Sequence, residues 1–190
     1  MAGPLRWVVL SEGGQVTTFA FLVKVQYTEK GRGNVLFLRS DLVGDGEDDV
    51  FAIFSDNPVV AQYLRDVVFN YTVFAGPPGE GPPAPIVGAT FESVGQVPLD
   101  TVERMEAEDR TTFTLALLEF DPPVAYTRVV KRGMMEVGAL SRPSRFLLEI
   151  NGVRPIGEPG VGPLAEAPPI GGDVQNLWYL SETAEAAASA

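Results

Sequence analysis

Charged and aromatic side chains stand on predicted strands whose other residues are apolar. Arg39, for example, alternates with Val35 and Phe37, and alternate residues of a strand point to the same face. Such a face places one fixed polar group in an apolar wall, which is how small-molecule sites are built. The candidate ligand-binding residues chosen in this way are Arg39, Tyr71, Phe74, Glu92, Tyr126 and Arg128.

These residues predict a pocket for a small apolar or aromatic ligand. Arg39 and Arg128 would meet an acidic or carbonyl group of that ligand, because an unpaired buried charge is very costly. Tyr71 and Phe74 would line the apolar wall. The alternative is that the charges face water, since antiparallel sheets often have one solvated face.

The chain of 190 residues contains no histidine and no cysteine. It therefore lacks the usual general base at neutral pH, the commonest zinc ligand, the thiol nucleophile and the disulfide. A second hypothesis is a cofactor-free barrel enzyme of the isomerase, cyclase or hydratase type. Such an enzyme would use tyrosine and an aspartate or glutamate as its acid and base, but the sequence does not assign particular catalytic residues.

The acidic run from Asp41 to Asp49 is the part of the sequence that comes nearest to a metal site. Carboxylates are suitable calcium ligands, but the spacing here does not follow the Asp-x-Asp-x-Asp-Gly pattern of a calcium loop. The Asp45-Gly46 pair is instead a strong hairpin signal. The sequence thus predicts a solvated hairpin tip and neither a metal site nor a cofactor.

The formal net charge of −11 limits the classes of partner. Phosphate backbones and anionic membrane surfaces would repel such a chain, so neither nucleic acid nor membrane is an expected partner. No run approaches the ~20 apolar residues that span a bilayer, and we expect a cytoplasmic protein. A third hypothesis is a structural or interaction protein that pairs with another copy through an exposed sheet edge.

A hydrophobic period of two dominates the sequence and predicts strands. In residues 16–27 the odd positions are mostly apolar, which predicts that the odd face is the better buried one. The same alternation, interrupted by turn residues, predicts further strands. They lie at 34–43, 50–55, 69–74, 86–95, 97–106, 111–120, 124–131, 134–140, 146–150 and 176–180.

One segment, at about 57–68, has apolar residues at helical spacing. Asn57 can cap its start, and Pro58 suits the first helical turn. The segments 76–85 and 153–173 are rich in proline and glycine and predict long loops. We expect a single domain over 1–180 and a disordered tail over 181–190.

These elements predict a mostly β protein, in which an antiparallel meander closes into a β-barrel with one helix. Closure removes unpaired strand edges, and the alternative is a two-sheet β-sandwich. In strand number and length the plan resembles the calycin group of barrels, in which lipocalin-type proteins hold apolar ligands. The Gly-x-Trp signature of lipocalins is absent, because three residues separate Gly3 from Trp7. No residue roles are therefore carried over from that group.

Overall fold

The computed structural model describes residues 2–26, 28–66, 81–95, 99–129, 134–159 and 174–182. Within these ranges the chain forms thirteen strands and one helix, α1, at Pro58–Leu64. The strands are β1 (Ala2–Glu12), β2 (Gln15–Val25), β3 (Gly33–Ser40), β4 (Val50–Ser55), β5 (Pro85–Val87), β6 (Thr90–Val94), β7 (Thr101–Glu106), β8 (Thr112–Phe120), β9 (Val124–Val129), β10 (Met134–Ser141), β11 (Pro143–Ile150), β12 (Glu158–Pro159) and β13 (Val174–Glu182).

The strands form two sheets. The large sheet has the order β5-β4-β3-β2-β1-β13-β10-β9, and β12 adds to the end of β1. The small sheet has the order β11-β8-β7-β6. Among the described strands, every pair is antiparallel except β4 with β5. The prediction of a mostly β protein with antiparallel sheets and one helix is confirmed, and in the described part of the chain the end strands β5 and β9 do not pair with each other.

Both faces of the large sheet are buried in its central strands. One face packs against the small sheet, with Leu22 and Leu36 on one side and Leu115 and Leu148 on the other. The opposite face carries an aromatic cluster and is partly covered by α1. The members of this cluster are Trp7, Phe19, Phe21 and Phe37, joined at the margin by Phe51. Strand β2 therefore buries its even positions as well as its odd ones.

The helix begins where the sequence predicts. The Asn57 side chain accepts hydrogen bonds from the backbone N–H groups of Val59 and Val60, and Pro58 occupies the first turn. Val60 and Leu64 are fully buried against the aromatic face of the sheet. The helix ends at Leu64, with Arg65 as its C-cap, and residues 67 and 68 of the predicted helix lie outside the described residues.

The single strand predicted over 86–95 is wrong, because the structure divides it between the two sheets. Strand β5 adds to the large sheet beside β4, whereas β6 is the edge of the small sheet. Gly88, with a φ of +91°, lies between them, and this left-handed conformation allows the chain to change direction. No described helix is long and apolar enough to cross a membrane.

Candidate functional site

A cleft of about 260 Å³ lies at strand β11, next to the core between the two sheets. On one side it is bounded by edge strand β11 and on the other by residues 154–159, which we call the strap. The cleft is lined by Leu10, Ser144, Arg145, Phe146, Leu148, Arg154, Pro155, Gly157, Glu158 and Pro159.

A side-chain hydrogen bond and a short strand pairing attach the strap to the β1–β2 hairpin. The Thr17 hydroxyl donates a hydrogen bond of 3.0 Å to the Ile156 carbonyl oxygen, and Ser11 pairs with Glu158 through β12. Gly157 has a φ of +96°, and a Cβ there would lie 2.7 Å from the Thr17 hydroxyl oxygen. Only glycine fits that conformation and space, so the position of the strap is fixed by the sequence.

The cleft combines an apolar floor with a charged rim. Leu10 and Leu148 are buried members of the core between the sheets, and half-buried Phe146 packs against that core. At the rim, Arg145 Nη1 lies 2.8 Å from a carboxylate oxygen of Glu119. The exposed Arg154 side chain carries no ion pair to any described residue. The cleft can therefore hold an apolar group and offer a guanidinium to an anion at its mouth.

A second set of polar residues lies between the sheets and is remote in sequence from the strap. We call it the buried cluster, and its members are Arg6, Lys24, Ser93 and Glu103. The Glu103 carboxylate, 2% exposed, accepts from Arg6, whose Nε and Nη2 lie 3.0 and 2.9 Å from Oε1. Lys24 Nζ lies 3.3 Å from Oε2. The Ser93 hydroxyl contacts both Oε2 and Lys24 Nζ. Four strands of two sheets thus converge on one buried carboxylate.

Strand register produces this cluster. Ser93 and Glu103 are direct partners across β6 and β7, so their side chains lie on one face at cross-strand distance. In the large sheet Arg6 pairs with Leu22, which places Lys24 at the diagonal position of the same face. When the sheets pack, the two cations approach the single carboxylate.

The environment perturbs the guanidinium of Arg6. Burial lowers the pKa of the Arg6 guanidinium below its ordinary value, and the attraction of Glu103 opposes that shift. Because the ordinary pKa of arginine is far above neutrality, Arg6 remains a cation. Thr101, buried two residues before Glu103 on β7, has a hydroxyl with no hydrogen-bond partner in the described part of the chain.

The structure places the sequence-predicted site residues in separate environments. Arg39 Nε lies 2.9 and 2.8 Å from the two carboxylate oxygens of Asp48, at the base of the acidic hairpin. Glu92 and Arg104 form an exposed pair at 3.2 Å on the small sheet. Tyr126 is half-buried and packs against the aromatic face of the large sheet.

Of the other three predicted site residues, one lies in the described part of the chain. Arg128 lies on β9 and pairs with Glu136 of β10 in the backbone register. Tyr71 and Phe74 lie outside the described residues. Neither Arg39 nor Glu92 lines the cleft beside the strap.

The carboxylates of the acidic hairpin hold their own loop. Asp41 accepts from the backbone N–H groups of Gly44 at 2.5 Å and Gly46 at 2.8 Å, while Asp49 accepts from Leu42 at 2.7 Å. Burial opposes ionisation of Asp41, but the surrounding backbone N–H groups outweigh it and hold the pKa of Asp41 below its usual value. Among the described residues no cluster of three or more candidate ligands is arranged to hold a metal ion.

Sequence reasoning missed Arg154 and all four residues of the buried cluster. Thr101, Glu103 and Met105 alternate along β7 and share one face. The charge of Glu103, between a hydroxyl and an apolar side chain on that face, is the signal in the sequence that could have identified it. Comparison of the chain with models of protein families, with curated proteins and with solved structures gives no match. The site must therefore be interpreted from its own chemistry.

Proposed function

We propose that this protein binds a small apolar or aromatic molecule that carries an acidic group, in the cleft between β11 and the strap. The observation that carries the proposal is the position of Arg154, an exposed guanidinium without an ion pair in the described part of the chain, beside an apolar floor. The apolar part of the ligand would lie on Leu10 and Leu148. Its acidic group would meet Arg154 in a charge-assisted hydrogen bond.

The size and construction of the cleft support a small ligand. Its volume of about 260 Å³ is slightly below the usual range for ligand sites, which is about 300 to 1,000 Å³. One aromatic ring with a short acidic substituent suits that volume. The strap is already held by Thr17 and by the β1–β12 pairing, so the ligand need not order it on binding, and that lowers the entropic cost of association.

The proposal includes a calycin-like closure of the large sheet around its aromatic face. Such closure would bring β9, at one end of the sheet, towards β4 and β5 at the other end. Tyr126 of β9 packs against the aromatic face and would then lie inside the closed sheet. We extend the proposal to a cytoplasmic location, which suits a chain without cysteine, and to the absence of nucleic-acid or membrane partners.

The test is an NMR titration of backbone amides with benzoate, phenylacetate and the corresponding neutral alcohols. We expect the two acids to shift the amide signals of Leu148 and Gly157, and to bind about tenfold more tightly than the alcohols. Arg154→Gln should remove that preference, whereas the matched surface variant Arg32→Gln should keep it. Equal affinity for acids and alcohols, or acids that leave the cleft signals unmoved, would refute the proposal.

A further inference from the structure

We propose that Ser93 is an activated nucleophile that accepts acyl groups, with Glu103 as its general base. The inference rests on the buried cluster and not on the cleft beside the strap, so it is independent of the proposed function. A serine becomes a nucleophile when a base lies within hydrogen-bond reach and a third group orients that base. Ser93, Glu103 and Arg6 stand in that relation.

The two oxygens of Glu103 have different partners. Arg6 Nε and Nη2 donate to Oε1, at 3.0 and 2.9 Å. Oε2 faces the Ser93 hydroxyl and Lys24 Nζ. The hydroxyl proton of Ser93 therefore has an acceptor whose position is fixed by a buried ion pair.

The reaction balances with these groups alone. Ser93 Oγ forms a bond to the carbonyl carbon of an ester, and its proton passes to Glu103 Oε2. The ester C–O bond then breaks, and the leaving oxygen takes the proton back from Glu103 as the alcohol departs. Lys24 Nζ contacts Ser93 Oγ, and its positive charge stabilises the negative charge that develops on this oxygen as the proton passes to Glu103.

Ser93 is also accessible to a substrate. It is exposed and lies on β6, which is the edge of the small sheet and pairs only with β7 among the described strands. Glu103 is 2% exposed and Lys24 is 24% exposed. The nucleophile thus faces solvent while its base is protected from it, as nucleophilic catalysis requires.

The experiment uses p-nitrophenyl acetate and maps the acetylated residues by peptide mass spectrometry. The chain has no cysteine or histidine to consume the reagent. Ser144, an exposed serine on edge strand β11, is the internal reference. We expect acetyl-Ser93 to form on the order of 100-fold faster than acetyl-Ser144, the usual contribution of a positioned general base.

Two variants complete the test. Ser93→Ala should abolish the fast adduct and leave the circular dichroism spectrum unchanged. Glu103→Gln should slow acetylation of Ser93 to the rate of Ser144. If Glu103→Gln fails to fold, the rate ratio of Ser93 to Ser144 in the natural chain decides alone. Equal rates at the two serines, or acetylation of Lys24 in place of Ser93, would overturn the assignment.

Discussion

Replacing Glu103 by leucine should destabilise the fold strongly, because Arg6 would keep a charge without its carboxylate. Arg6 is 4% exposed and cannot turn to water, whereas Lys24, at 24%, can. Removing one member of a buried pair costs about 3–5 kcal/mol. Arg6→Met should cost less, about 1–3 kcal/mol, because Glu103 keeps Lys24 and Ser93 as partners. The double variant Arg6→Met/Glu103→Leu leaves no buried charge without a partner, since Lys24 can reach water, and should lie within about 1 kcal/mol of the natural protein.

Urea unfolding followed by circular dichroism measures these differences. With an m value of about 2 kcal/mol/M, Glu103→Leu should lower the midpoint by about 2 M. The matched control is Glu92→Leu, which removes an exposed partner of Arg104 and should cost at most about 1 kcal/mol. The reasoning fails if Glu103→Leu is no more harmful than Glu92→Leu. It also fails if the double variant is as unstable as Glu103→Leu, and this comparison still applies when the single variant does not fold.

Two further predictions concern polar groups elsewhere in the fold. Thr101→Val removes a buried hydroxyl that has no partner among the described residues and should leave the unfolding free energy equal or raise it by about 1 kcal/mol; a clear loss in urea unfolding would show that the hydroxyl is satisfied. The pKa of Asp41 is lower in the folded protein than its ordinary value. The ionised carboxylate therefore stabilises the fold above the unfolded-state pKa, and this stabilisation is lost as the pH falls through the folded-state pKa. The advantage of the natural protein over Asp41→Asn should therefore shrink below about pH 4, and a difference that is constant with pH would contradict this account.

The sequence was sufficient to predict those elements whose formation depends on residues close to one another in the chain. The β2–β3 and β3–β4 hairpins follow from alternation and turn residues, and α1 begins at the predicted cap, Asn57. Strand β1 was not predicted, because its Val8 and Val9 point to opposite faces and are both buried. A strand buried on both sides has a continuous apolar run and no alternation.

The candidate site depended on long-range packing and was largely beyond sequence reasoning. Arg6 and Glu103 are 97 residues apart, and their contact requires two registers and the stacking of two sheets. Alternation identified Arg39 as a charge on an apolar face but did not identify Asp48, nine residues away, as its partner. The strap lies at the start of the segment predicted as a loop, and only its close approach to Thr17 makes it a wall of the cleft.

The position of β1 has a consequence for synthesis. Strand β1 lies inside the large sheet, and its residues 2–7 pair with residues 174–179 of β13. During translation, one edge of the β1–β2 hairpin therefore stays without its partner until residues 174–179 have been made. Because that hairpin is strongly apolar, the nascent chain is vulnerable to misassociation during this interval, and loss of β13 would remove a neighbour from the middle of the sheet.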